Sequence, residues 1–261
     1  MILFIEIIFL VAILESALAI FVSFVGRFGN EGQALADLLI KAPALDIMLG
    51  LFSWIPWILF GLAYGWRGLI GTIIGQVISL LVWTSIHEYF HRQAVAGPRI
   101  VKVLNRTVGR WQNHAALWVS AIAFPGFLFI RLMEVTVYPA LCALLGFPKY
   151  NQAEWVTISR QKFNGLVGHD LIWCLYCDWM TGVYSLGAEM LRNVESFWCP
   201  IRFYDGKKCD NCKMDFPDID NGWVPADGTM QQVEDKLEQM YPAGREKPWF
   251  GHPVRLTVKG K

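Results

Sequence analysis

The chain has 261 residues, 54% of them hydrophobic and only 17% charged, where a soluble domain carries about 25% charge. Its formal net charge of +1 excludes a broad electrostatic pull toward nucleic acid or acidic substrates. Six cysteines in a chain this long do not make a secreted disulfide scaffold, and twelve tryptophans, many near the ends of apolar runs, suit the two interfaces of a bilayer.

Ile2 to Val25 is a nearly continuous apolar run with Glu6 and Glu15 inside it. Ala17-Leu18-Ala19 loosely resembles a signal-peptidase site. However, no Lys or Arg precedes the run, so a retained first membrane span is expected. Glu6 is close enough to the end to sit at an interface. Glu15 is not, and an intramembrane carboxylate needs a buried partner or water. Residues 26–43 mix both signs and read as a short amphipathic connection. A second span is expected from Ala44 to Trp66, kinked at Pro56 because proline removes a backbone donor and crowds the preceding turn.

Gly68 to Ile86 is an uncharged stretch long enough to span, and Gly71 and Gly75 are spaced for close helix approach. It ends in His87-Glu88-Tyr89-Phe90-His91. On a helix, residues four apart point the same way, so His87 and His91 can reach one metal ion. Glu88 beside them can take a proton from metal-bound water. This five-residue pattern resembles the local signature of zinc metallohydrolases, which include membrane-embedded proteases. The resemblance implies zinc and a third ligand from elsewhere, for which His114, His169, Asp170 and Glu134 are the candidates. The same residues, with Arg92, also resemble the first histidine box of membrane fatty-acid hydroxylases. That family needs about eight histidines, and this chain has five.

Arg92, Arg99, Lys102, Arg106 and Arg110 follow with no acidic residue among them. By the positive-inside rule residues 92–110 are expected in the cytoplasm. Ala115 to Phe147 is apolar again, interrupted by Pro125-Gly126, Arg131, Glu134 and Pro139. It reads as one kinked span or a span with a re-entrant half-helix. Arg131 and Glu134, three apart, share a helix face and are expected to pair.

Between Phe163 and Trp198 the polar positions are Asp170, Cys174, Cys177, Asp178, Thr181, Ser185, Glu189 and Arg192. Spacings of three and four draw them into one stripe along a helix. Cys174 and Cys177 form a Cys-x-x-Cys pair suited to thiol redox chemistry if accessible. From Cys199 the composition turns polar, and Cys199, Cys209 and Cys212 cluster. With His252 they make a partial zinc-knuckle set, or a disulfide if the tail is outside the cell.

The expected fold is an all-α integral membrane protein with four or five spans over residues 1–198. An extramembrane tail, expected to be cytoplasmic, covers residues 199–261. Two functional expectations follow. One is a membrane-embedded, metal-dependent hydrolase. The other is a non-catalytic subunit or assembly partner of a larger membrane complex, with its histidines holding a structural metal, haem or pigment. Nothing in the sequence resembles a phosphate-cradling loop or a nucleic-acid surface.

Overall fold

The computed structural model describes residues 2–201 and 224–240. Among them the chain is all-helical, with no strand beyond isolated bridges. In order, the helices are α1 (Ile2–Val25), α2 (Gly29–Leu39), α3 (Ala44–Leu51), α4 (Trp54–Phe90), α5 (Arg92–Ala96) and α6 (Ile100–Val108). Then come α7 (Arg110–Ala121), α8 (Phe124–Leu145), α9 (Gln152–Trp155), α10 (Gly168–Trp198) and α11 (Met230–Met240). Cys209, Cys212 and His252 lie outside the described residues.

Three helices among the described residues are long and apolar enough to cross a membrane: Ile2–Val25, Trp54–Phe90 and Arg110–Leu145. The last runs through the turn at residues 122–123 that separates α7 from α8. The first coincides with the expected first span. Residues 26–43 are more ordered than the sequence suggested, because α2 occupies most of that connection.

Two compact units divide the chain, one of residues 1–122 and 156–180, the other of residues 123–155 and 181–261. In the first, α1 packs along α4 at the two glycines marked in the sequence. A Cβ on Gly75 would stand 2.8 Å from the Ile8 carbonyl oxygen and 2.9 Å from Val11 Cβ. On Gly71 it would meet the Cγ2 methyl of Ile7 at 3.1 Å. Ser16 donates to Ser79 across the same seam, at 3.1 Å.

The kink expected at Pro56 falls elsewhere. Pro56 occupies the first turn of α4, where a missing N–H leaves no intrahelical bond unmade. The chain breaks just before it, at Phe52–Ser53, and again at Gly65, whose φ of 63° and ψ of −151° only glycine tolerates. At Gly65 α4 folds back on itself. Trp57 Nε1 donates to Gln76 Oε1 at 2.6 Å, whereas nineteen residues of straight helix would separate them by about 28 Å. Residues 40–42 pair briefly with 156–158, through Ala42 N–H to the Val156 carbonyl and Ile158 N–H to the Ile40 carbonyl. Val156 is fully buried there.

In the second unit, Arg131 donates to Glu134 at 2.7 Å, both side chains buried on α8, and to Gln152 Oε1 at 2.8 Å. The pairing read from their spacing is therefore present, with a third partner. Asn193 of α10 donates to the hydroxyls of Tyr138, at 3.0 Å, and Tyr150, at 2.6 Å. Val183, Leu186 and Met190 supply the apolar packing of that part of α10.

Gly75→Ala drives a methyl into α1 backbone and is expected to destabilise the protein by about 1–3 kcal/mol. Gly71→Ala meets side-chain atoms of Ile7 and Phe4 at longer range and no backbone, and should cost less. Thermal unfolding followed by circular dichroism in detergent checks the ranking, and equal effects would contradict this packing.

Candidate functional site

The His87–His91 motif ends α4, and what meets it is the start of α10. Gly168 opens that helix at φ 52°, and a Cβ there would lie 2.1 Å from Glu88 Cγ. Only glycine lets the two elements approach so closely. The first amides of α10 then point at the motif: Gly168 N–H donates to His87 Nδ1 at 3.2 Å, and His169 N–H to Glu88 Oε1 at 3.0 Å. A helix N-terminus has amides without intrahelical acceptors and a positive dipole end, and a carboxylate satisfies both.

Arg99, on the segment between α5 and α6, completes the arrangement. Its Nη2 donates to Glu88 at 2.8 Å and its Nε to Asp170 at 2.7 Å, with the arginine side chain only 4% exposed. Asp170 also accepts from the Val101 amide at 3.1 Å. Burial by itself pushes the Asp170 carboxyl up. The His169 and Arg99 side chains and the Val101 amide outweigh it and hold the group below its ordinary value. Burial likewise works against the Arg99 charge, and its hydrogen bonds to Asp170 and Glu88 more than offset this, raising its pKa. Two carboxylates from different helices thus share one buried guanidinium, whose planar fork can serve both.

Four of the five histidines lie around this clasp. His87 and His91 stack with ring centroids 4.2 Å apart, and Trp83 stacks on His87 at 4.7 Å. His114 and His169 meet edge to face at 5.0 Å. The hydrogen bonds fix which ring nitrogens retain a lone pair. His87 Nδ1 accepts from Gly168, so its Nε2 carries the proton. His169 Nε2 accepts from Trp173 Nε1 at 3.2 Å. Its Nδ1 therefore bears hydrogen, buried without a hydrogen bond and 3.8 Å from Asp170. His91 differs, because its Nδ1 donates to the His87 carbonyl at 2.8 Å and leaves Nε2 open on an exposed ring.

The structure therefore brings together His87, Glu88, His91, His114, His169 and Asp170, but around an arginine. Among the described residues, no group of three His, Cys, Asp or Glu side chains is arranged to hold a metal ion. Glu134 lies in the other compact unit, paired with Arg131.

Asp170 also borders a cleft of about 120 Å³ whose wall includes Asn113, Arg160, His169, Trp173, Cys174 and Cys177. Asp178 accepts from the amides of Ser159, at 2.6 Å, and Arg160, at 3.0 Å. It thereby anchors the turn that carries Arg160 to both thiols. Burial pushes the Cys174 thiol above its ordinary value despite the arginine beside it. Neither cysteine forms a disulfide, and Cys199, half-buried, carries a thiol as well.

Arg99 and Arg160 escaped the sequence reading. Arg99 is one of five cations in a row, with nothing local to distinguish it from those that orient a loop. Arg160 stands in a polar connection, fourteen and seventeen residues before the two thiols it touches, and has no pattern of its own. Comparison of the chain with protein-family models, with curated proteins and with solved structures returned no match.

Arg99→Met strands two carboxylates and is expected to destabilise the protein by about 3–5 kcal/mol. Adding Glu88→Gln and Asp170→Asn should recover much of that loss. The pH dependence has a definite sign. Because Asp170 is held low when folded, its contribution is complete above its unfolded value of about 3.9 and disappears as pH falls through the folded value. Unfolding midpoints measured against pH should drop below about pH 4 in the wild type and less steeply in Asp170→Asn.

Proposed function

We propose that the chain is an integral membrane protein serving as a non-catalytic subunit or assembly partner of a larger membrane complex. One observation carries this reading. One oxygen of the Glu88 carboxylate and the usable lone pairs of His87 and His169 are occupied by other groups of the chain. A hydrolase of the His-Glu-x-x-His type needs a carboxylate free to accept a proton from metal-bound water, with imidazole nitrogens turned to the metal. Here the same residues fasten α10 to the end of α4. The insertion has α1 and the longer arm of α4, from Trp66 on, as spans. Residues 44–64, broken at Phe52–Ser53, then make a further apolar segment beside them, with the basic residues 92–110 at the cytoplasmic face.

The partner is another membrane protein with an apolar helical face. Tyr184 and Leu191 are each 64% exposed on α10, and Trp198 is 52% exposed. Their seven-residue spacing draws a seam of the kind that packs against another helix. The tail is expected to be cytoplasmic. Its cysteines would take a structural zinc ion there.

A second reading, a zinc-dependent membrane hydrolase, has one observation in its favour. His91 donates from Nδ1 to a backbone carbonyl and keeps Nε2 available, the orientation that metal-binding histidines adopt. In that state His91 and His114 would be first ligands. His87 would join only on giving up the Gly168 amide, and Glu88 would act as base only on leaving Arg99.

Affinity purification from membranes in mild detergent separates the two. The subunit reading expects a partner at fixed stoichiometry, lost in Tyr184→Asp/Leu191→Asp, and no metal stoichiometric with His91. One equivalent of zinc in the wild type that disappears in His91→Ala, with an activity abolished by Glu88→Gln, would establish the hydrolase instead.

A further inference from the structure

Glu15 lies in the body of α1, about 20 Å along the helix from its start, and is 7% exposed. Its hydrogen-bond partner is Gln76 of α4, whose Nε2 donates to Glu15 Oε1 at 2.9 Å. The same nitrogen faces the carbonyl oxygens of Phe52, at 3.2 Å, and Ser53, at 3.1 Å. The amide orientation is set by Trp57, which donates to the other end at 2.6 Å.

Phe52 stands in the break between α3 and α4, so its carbonyl closes no bond of either helix. An amide nitrogen carries two hydrogens, and three acceptors converge on it. With Glu15 ionised, the site holds one acceptor more than its donors satisfy. It also buries a charge without a counter-charge. The groups facing Glu15 from α4 and from the α3–α4 break are Gln76, Trp57 and two backbone carbonyls, all uncharged. Among the described residues no cationic side chain pairs with it. Glu31 and Asp37 of α2 and Glu6 of α1 share its sign and could only oppose its ionisation. A proton on Glu15 removes the charge and the carboxylate's demand on the amide, freeing both Gln76 hydrogens for the Phe52 and Ser53 carbonyls.

The geometry points to Glu15 as a reversible proton-binding site within the helical core, with Gln76 linking its protonation to the break between α3 and α4. The ligand is the proton itself and not a metal cation, because the point where the oxygens converge is filled by the Gln76 amide. The inference draws on the proposed membrane insertion for the absence of bulk water around α1.

Dicyclohexylcarbodiimide tests it, since this apolar reagent adds to a protonated carboxyl to leave a stable N-acylurea and ignores a carboxylate. The full chain in native membranes is treated across a pH series, and adducts are located by mass spectrometry. The expected result is an adduct on Glu15 at about pH 7, where an ordinary glutamate is ionised. Labelling should fall about tenfold by pH 9–10, be unaffected by exchanging sodium for potassium, and be absent in Glu15→Gln. Gln76→Leu, which removes the group that best supports the carboxylate, should raise labelling at about pH 9 by roughly threefold or more. A merely structural Gln76 would leave that profile unmoved. Labelling of Glu15 only below about pH 5, or protection by sodium, would overturn the proposal. Alkaline carbonate extraction of the same membranes reads insertion separately. A chain that extracts yet labels at Glu15 loses the membrane and keeps the proton site, and one that is retained without labelling does the reverse.

Discussion

Arg99 donates at once to Glu88 on α4 and Asp170 on α10, and the arrangement of the first unit around it follows from what a buried charge requires. A guanidinium at 4% exposure would cost several kcal/mol alone, so two carboxylates meet it. One of them, Glu88, also accepts from the His169 amide at the start of α10, which needs Gly168 at the contact because any side chain would displace the glutamate. From that contact come the positions of His87, His169 and Trp173, the seat of Val101, and one wall of the cleft that holds the two thiols. Each is a consequence of satisfying one cation away from water.

The same demand operates wherever this apolar chain carries a polar group. Glu15 is met by Gln76, Arg131 by Glu134 and Gln152, and Asn193 by two tyrosine hydroxyls. Apart from the local Arg131–Glu134 pair, these contacts join residues far apart in the chain, which apolar packing alone would leave free to slide or rotate. A helix surface of leucine, isoleucine and phenylalanine has many near-equivalent registers, whereas a buried amide or carboxylate has few. Gly71 and Gly75 act in the same direction by bringing α1 and α4 close enough for Glu15 and Gln76 to touch. The break between α3 and α4 contributes as well, since the Phe52 and Ser53 carbonyls exposed there become Gln76 acceptors.

Function turns on how these groups are occupied. A histidine–glutamate–histidine motif on a helix is equally suited to hold a metal or to fasten two helices. The difference lies in where the lone pairs point. At His87 and Glu88 they point to α10 and Arg99, which favours a structural clasp. At His91 one remains open, which keeps the metal reading testable. Glu15 is the opposite case, a polar group whose partners are one donor short, and chemistry is more readily expected there than at the charge-paired clasp.

Composition and period alone determined that the chain is helical and apolar enough to cross a membrane. They placed the first long apolar helix from Ile2 to Val25, paired Arg131 with Glu134, and marked Gly71 and Gly75 as a packing seam, because each of these depends on residues a few positions apart. Glu15 was also legible as a group in need of a partner, and Gln76, a lone polar side chain in an apolar run, was the available signal for it. Only the tertiary structure decided that the partner was Gln76, that α4 doubles back at Gly65, and that Pro56 begins a helix instead of bending one. It alone singled out Arg99 from four neighbouring cations and turned Glu88 from a candidate base into a helix cap. Contacts across sixty to eighty residues leave no trace in a local period. They are selected by the energy of leaving a buried donor, acceptor or charge unmatched, which exists only once the helices have come together.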